Sequence, residues 1–390
     1  MKKNCIGFIF GGDSAENEVS IVTTLGLEKL MKGVSTFTPE FIYISTDNKF
    51  FYVKRKDMNV DYFKSENVIK SENEILILHG GDIVYKNRVL NKKLFHLNAI
   101  INCCHGGYGE NGALAGYMQM CSIPFSTFSS TALGISMDKN LFKHIMKSVG
   151  VLVPSWIVIY KKDWKDDKSE VIEKIQGLKF PVIVKPNSSG SSLGITVVKN
   201  IDELYSSLDV AFEFDNTLIV EKLVENKVEF NCCVLGGSKE MIVSDVDQIE
   251  EKGDMFTFSD KYIGDSSSSK NNTMKSSSKK SVSGMESAKR LLPAPITVSL
   301  KDKIQESSAI VFKTLGLSGI SRVDFLYDQK KKKLYVGEVN AVPGSLALYF
   351  FKNTKIGVLG VINKLINIAL EEYNSKVKVD DKFIPKIFRV

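Results

Sequence analysis

The 390-residue sequence has no Cys-x-x-Cys pair and no regular His/Cys spacing, although it carries six cysteines. A structural zinc site or a disulfide framework is therefore not expected. The adjacent pairs Cys103-Cys104 and Cys232-Cys233 sit in apolar strand-like runs and read as buried, reduced thiols. No apolar run approaches the roughly 18 residues that a membrane-spanning helix needs. The run that follows Lys2 and Lys3 stops at Phe10, before Gly-Gly-Asp, and is too short for a secretory leader. A cytoplasmic protein with no membrane partner is the expectation. There is no internal repeat and no broad basic stripe. Net charge is +7, yet Lys and Arg are scattered. Their densest cluster, Lys330 to Lys333, lies between two strand-like runs and reads as a solvated turn, so no nucleic-acid partner is expected. A Walker-type Gly-Lys-Ser/Thr loop is also missing.

What is present is an ordinary globular composition, 43% hydrophobic and 25% charged, in a chain long enough for two or three domains. Strand and helix patterns alternate through the first third. Residues 6–10, 41–45 and 98–104 read as strands, and 20–31 and 112–121 as helices, which suggests a parallel sheet with ligand groups at strand ends. One helix is predicted over 131–148. Two strand-like runs, 181–185 and 195–199, flank a Ser/Gly-rich loop in what looks like a small middle domain. Strands dominate from 217 onward. Residues 265–284 are rich in Ser, Lys and Asn and have little to bury, so a mobile loop is expected there. A helix over 300–315 precedes a hairpin of 320–327 and 334–340 that turns at 328–333.

Four segments could carry chemistry. The loop Pro186 to Gly194 can fold backbone N–H groups over a phosphate, with Lys185 as a point charge, or it can be a plain hairpin turn. On the C-terminal hairpin, Arg322 and Asp324 are two apart, as are Glu338 and Asn340, so each pair shares a strand face. If the strands pair, three oxygen-bearing groups converge with one Arg. That set suits Mg²⁺ better than a surface salt bridge, because the intervening Val323, Phe325 and Val339 make both strands half-buried. His105 ends a strand and is followed by four glycines in eight residues, an anion-friendly setting. Glu16 and Glu18 either favour the positive end of the next helix or bind a substrate ammonium group, and their spacing does not decide.

Taken together, FGGDSAENEVS, HGGYGENGALAG, SMDKNLFK, FPVIVKPNSSGSSLGI, IVEKLVENKVEF, Lys261-Tyr262, SRVDF and GEVNAVPGS occur in the order found in the D-alanine–D-alanine ligase family, which the chain resembles over nearly its whole length. The resemblance implies an α/β protein, α+β in its C-terminal half, with a three-domain ATP-grasp architecture. Its parts would be a Rossmann-like, parallel-sheet N-terminal domain (1–125), a small central domain (126–215) and a C-terminal domain (216–390). It implies ATP and two Mg²⁺ ions as cofactors, with Mn²⁺ as a substitute, and a homodimer formed through the N-terminal domain. Lys139 and Lys185 match the family's phosphate lysines, and Ser192 joins them on the loop. Glu221, Lys222, Val224 and Glu229 match the adenine and ribose contacts, although the Glu-to-Glu interval is one residue longer than expected. Asp324, Glu338 and Asn340 match the metal ligands. Arg322 matches the arginine that stabilises developing charge. Glu18 is matched to the carboxylate on the first substrate's ammonium, with Ser191 and Tyr262 as its partners, and His105 to the histidine near that substrate's carboxylate. Gly344 and Tyr349 fall at the second substrate.

The implied reaction joins two D-amino acids through an acyl phosphate, for peptidoglycan precursors. Three departures bear on the second substrate. Asn111 stands where Asp is expected, Tyr349-Phe350 stands near a usual Ser-Leu pair, and the Ser/Lys-rich stretch follows Tyr262. D-serine, D-lactate or another acceptor is the nearest alternative. A nucleotide-binding paralogue without activity and a scaffold with a flexible arm are the others.

Overall fold

The computed structural model describes residues 3–34, 36–65, 67–86, 93–127, 129–190, 193–249 and 290–380. The first sheet grows from β1 (Asn4–Gly11), where Ile6, Phe8, Ile9 and Phe10 are all inaccessible to solvent. A strand apolar on both faces must be covered on both, which favours a central place in a sheet. It pairs in parallel with β2 (Phe37–Ile44) and with β7 (Ala99–Asn102). The expected parallel sheet is thus present, and it extends further than the sequence reading traced. Four four-residue strands continue it in antiparallel fashion: β3 (Phe50–Val53), β4 (Glu74–Ile77), β5 (Asp82–Tyr85) and β6 (Lys93–His96).

The second sheet holds β8 (Trp156–Tyr160), β9 (Val182–Pro186), β10 (Thr196–Val198) and β11 (Thr217–Lys222), in the order β10-β9-β11-β8 and antiparallel throughout. β11, read from sequence with the C-terminal strands, is hydrogen-bonded between β9 and β8. Its core is its own: Ile159, Val182, Val184, Leu204, Leu218 and Val220 pack together beneath the helices Lys168–Gln176 and Ile201–Ala211.

The third sheet contains β12 (Lys227–Gly236), β13 (Met241–Ile249), β14 (Arg290–Leu291), β15 (Gly319–Asp328) and β16 (Lys333–Asn340), in the order β14-β13-β12-β15-β16. The β15–β16 hairpin matches the expected one, and its Lys-rich turn is held by Asp328, which accepts from the Lys331 N–H at 2.9 Å. Apolar residues of the first and third sheets merge into shared cores. Phe8, Phe10 and Ile101 pack in one cluster with Cys233, Leu346 and Ile366, the last on the helix Gly357–Asp380. All six cysteines are free, and Cys103, Cys104, Cys232 and Cys233 are buried. Among the described residues no helix is long and apolar enough to cross a membrane.

One predicted helix is two. The expected 131–148 helix divides into Ser130–Met137 and Lys139–Ser148 because Asp138 adopts an extended conformation, φ −83° and ψ 101°. Its carboxylate accepts from the Leu141 N–H at 2.8 Å, so Asp138 caps the second helix instead of continuing the first. The break has a functional consequence, since it sets Lys139 at the very start of the second helix.

Candidate active site

Lys139 and Asn140 meet the loop that follows β9. The Lys139 N–H donates to the Asn187 carbonyl at 3.1 Å, its Nζ to the Ser189 carbonyl at 2.6 Å, and the Asn140 N–H to Asn187 Oδ1 at 3.0 Å. Lys185, on β9, reaches across to β11, where its Nζ lies 3.1 Å from Glu221 Oε2. The other oxygen of Glu221 is 3.2 Å from Nζ of Lys143, a residue the sequence reading did not single out. Lys143 is wholly buried and Glu221 nearly so. Burial alone would raise the Glu221 carboxyl, but the charges of Lys143 and Lys185 outweigh it and hold the group below its ordinary range. Burial lowers Lys143, with Glu221 working against that shift, and burial lowers Lys139 as well. Three cationic side chains and one carboxylate thus converge beside the Ser/Gly-rich loop, a basic balance suited to an anion.

A cleft opens between the second and third sheets, lined by Lys185, Glu221, Lys222, Val224, Glu229, Asp324 and Glu338 among others. Lys222 uses its ammonium elsewhere, donating to the carbonyls of Lys179 at 2.8 Å and Phe180 at 3.1 Å. Glu229 is ion-paired with Lys227.

At the inner end of the cleft, β15 and β16 pair with Arg322 opposite Asn340 and Asp324 opposite Glu338. Arg322 forks onto Asp324, Nε to Oδ1 at 2.6 Å and one terminal nitrogen to Oδ2 at 2.8 Å. Asn340 Nδ2 donates to Asp324 Oδ2 at 3.0 Å. Asn231, opposite Asp324 on β12 and missed from sequence, donates to Oδ1 at 3.0 Å once its amide nitrogen is turned inward. No cluster of three His, Cys, Asp or Glu side chains forms among the described residues. The set here is two carboxylates and an amide oxygen, all hard donors, so Asp324, Glu338 and Asn340 fit a Mg²⁺ ion completed by water and phosphate oxygens.

The two glutamates near the end of β1 separate clearly. Glu18 is exposed at the start of the helix Asn17–Leu30, whereas Glu16 is 8% exposed and faces inward. The structure therefore turns Glu18, the residue singled out from sequence, toward solvent and Glu16 toward the loops of Gly106 and Gly190. The helix turns successive residues about 100° apart, so two positions on the chain points the other way. A Cβ on Gly190 would lie 2.8 Å from Glu16 Oε2 and one on Gly106, whose φ is +66°, 2.7 Å from it, so the Ser/Gly-rich loop and the His105 loop both approach this carboxylate closely. Glu110 lies in the same pocket, and burial together with the Glu16 charge pushes its carboxyl well up.

His105 is 3% exposed and fully engaged. Its Nδ1 lies 2.9 Å from the Val342 carbonyl and its Nε2 3.0 Å from Thr23 Oγ1, which also accepts from the Ser345 N–H at 3.2 Å. Facing a carbonyl, Nδ1 donates, and in the neutral ring Nε2 accepts from the Thr23 hydroxyl. Burial takes its pKa down to about 4. Ser345 belongs to the turn Gly344–Phe351, where Ser345, Leu346 and Ala347 have φ of 53°, 47° and 46°. Three consecutive non-glycine residues in the left-handed region cost about 1–2 kcal/mol each. The turn sets Ser345 against Thr23 and the Tyr349 ring under the Arg290 guanidinium. Burial pushes the Tyr349 phenol up to about 12, so it remains a donor. Asn111 caps the helix Ala113–Met120 by accepting from the Ala113 N–H at 3.0 Å. Ser191, Ser192, Tyr262 and the stretch 265–284 lie outside the described residues.

With this geometry in hand, the comparisons with known proteins agree on one family. Residues 5–127 match the D-ala D-ala ligase N-terminus, and residues 145–283 and 276–367 match the D-ala D-ala ligase C-terminus. The D-alanine--D-alanine ligase of Campylobacter lari is 31% identical over 98% of this chain and 97% of its own. The D-alanine-D-alanine ligase structure from Coxiella burnetii superposes with a TM-score of 0.78 at 20% identity, covering 98% of each chain. The VanG D-Ala:D-Ser ligase structure from Enterococcus faecalis is 25% identical, with a TM-score of 0.75 over 94% of this chain and 100% of that one. The expected ATP-grasp fold is the fold found, and the chain belongs to the D-alanine–D-alanine ligase family.

Proposed function

We propose that the protein joins two D-amino acids, D-alanine with D-alanine, through an acyl phosphate made at the expense of ATP, in the cytoplasm and for peptidoglycan precursors. The observation that carries this reading is the cleft lined both by Lys185 with Glu221 and by Asp324 with Glu338, with Lys143 behind Glu221 and Asn340 hydrogen-bonded to Asp324. ATP would lie between the second and third sheets, with adenine and ribose toward Lys222, Val224 and Glu229, the central part running through β11.

Glu16 takes the ammonium of the first amino acid. Lys139 and Lys185 hold the phosphates, with Ser192 as a hydroxyl donor. Two Mg²⁺ ions at Asp324, Glu338 and Asn340 would offset phosphate charge as the γ-phosphoryl group moves to the carboxylate, and Mn²⁺ would substitute. Arg322 stabilises charge on the transferring group and then on the tetrahedral centre formed when the second amine attacks. Ser191 and Tyr262 close over the first substrate, and exclusion of water protects the acyl phosphate. Gly344 and Tyr349 receive the second substrate. The assembly is a homodimer.

ADP release with D-alanine alone, and with D-serine or D-lactate added, tests the reading and ranks the acceptors. Glu338→Gln should reduce ADP release by about a thousandfold, the scale on which lost charge stabilisation acts. Turnover within tenfold of the parent protein would remove Glu338 from the metal set. D-serine earns its place in the panel from the 25% identical VanG D-Ala:D-Ser ligase.

A further inference from the structure

The phenol oxygen of Tyr349 is shut off from solvent and has no hydrogen-bond partner among the described residues. A buried hydroxyl left in that state is destabilising, so its retention calls for a partner supplied from outside. The charged groups around it are Arg322, Arg290, Asp247 and Asp324. The ring itself is gripped. The Arg290 guanidinium lies over its face at 4.1 Å from the centroid, and the Phe350 ring stacks on it at 4.6 Å. Arg290 in turn donates through a terminal nitrogen to Asp247 Oδ2 at 2.8 Å, and Asp247 is wholly inaccessible to solvent. Asp247 and Arg290 sit on the neighbouring strands β13 and β14, so the grip is built into the sheet.

We propose that Asp247 and Arg290 are positioning residues of the acceptor pocket, holding the Tyr349 ring so that its O–H donates to the carboxylate of the second amino acid beside Arg322. A planar guanidinium fixed by a buried carboxylate offers a flat, immobile face for an aromatic ring, which an ammonium on a flexible stem does not. An O–H donor next to a guanidinium suits a carboxylate and leaves a neutral amide poorly matched.

The inference rests on the ligase reading, and its test separates the two. ADP release is measured at saturating ATP as a function of D-alanine, giving separate KM values for the first and second molecules. Arg290→Met and Tyr349→Phe should each raise the second KM tenfold or more, with the KM for ATP and for the first D-alanine within twofold. Arg290→Lys should recover only part of the loss, because it keeps the charge toward Asp247 but not the flat face. With D-alaninamide offered as acceptor, the parent and Tyr349→Phe should perform alike. Equal changes in all three KM values, or an unchanged second KM in a folded Arg290→Met, would overturn the proposal. Should Arg290→Met not fold, Arg290→Lys and Tyr349→Phe decide on the same readouts. A parent protein that releases no ADP with any D-amino acid would remove the ligase reading and this inference with it.

Discussion

His105 carries a pH dependence that can be calculated and isolated. The folded state holds the ring at a pKa of about 4, against 6.5 when unperturbed. Between those values the unfolded chain binds a proton that the folded chain does not, so stability rises with pH across the window. The contribution is intact above pH 6.5, falls as pH drops toward 4, and falls no further below. The loss reaches about 2 kcal/mol at pH 5 and about 3 kcal/mol once both states are protonated. The geometry explains why a proton is refused. The ring is buried, which disfavours its charged form most of all, and a proton on Nε2 would oblige the Thr23 hydroxyl to accept where it donates to the neutral ring. Glu110, 4.0 Å from Nδ1, is itself pushed toward its neutral form and offers little compensation, while Arg322 opposes the charge. The perturbation is His105→Gln, which keeps a donor and an acceptor and removes the titration. Urea unfolding of both proteins, followed by far-UV circular dichroism at pH 7.5 and pH 5.0, gives two pH-dependent losses. The parent should lose about 2 kcal/mol more than the variant. Equal losses, to within about 0.5 kcal/mol, would refute the neutral-histidine argument.

Lys143→Met leaves Glu221 with Lys185 as a remaining partner, so it should destabilise the protein by about 1.5–3 kcal/mol, the scale of a hydrogen bond to a charged group, as read by urea unfolding; no measurable loss would mean the Lys143–Glu221 pair contributes nothing. Glu16→Gln should raise the KM for the first D-alanine at least tenfold, whereas Glu18→Gln should leave it within twofold, as read from initial rates. The reverse order would restore the assignment to Glu18.

What could be read in the sequence depended on whether the deciding interaction was local. The β15–β16 hairpin and the shared faces of Arg322 with Asp324 and of Glu338 with Asn340 follow from alternation over a few residues, whereas the register shift between Asp324 and Phe325 that sets Asp324 opposite Glu338 left no mark in the sequence. β1 declares itself through an unbroken apolar run. By contrast, β3, β4, β5 and β6 have four residues each, too few for a period to show. The break at Asp138 is a contest between a carboxylate and the helix for the same N–H, which sequence alone leaves undecided. Choosing Glu16 over Glu18 needed the rotation of a helix start against two glycine loops far along the chain. Asn231, Lys143, Asp247 and Arg290 earn their roles only from neighbours that pairing brings to them, and they had no local mark to find.

The separate core beneath the second sheet has a mechanical consequence. The first and third sheets share apolar clusters and are stitched together by Thr23, His105 and Ser345, so they turn as one block. The second sheet, which has a core of its own, forms a jaw joined to that block through residues 149–155 and 223–226. The helix Lys139–Ser148 is rooted in the block through Phe142 and Met146, yet its Lys143 grasps Glu221 on the jaw. Glu221 is then a latch pin gripped from both sides, by Lys143 across the joint and by Lys185 within the jaw. If Lys185 turns to a nucleotide phosphate, as the proposed reaction requires, Glu221 loses one grip and keeps the other, so the jaw stays tied to the block through Lys143.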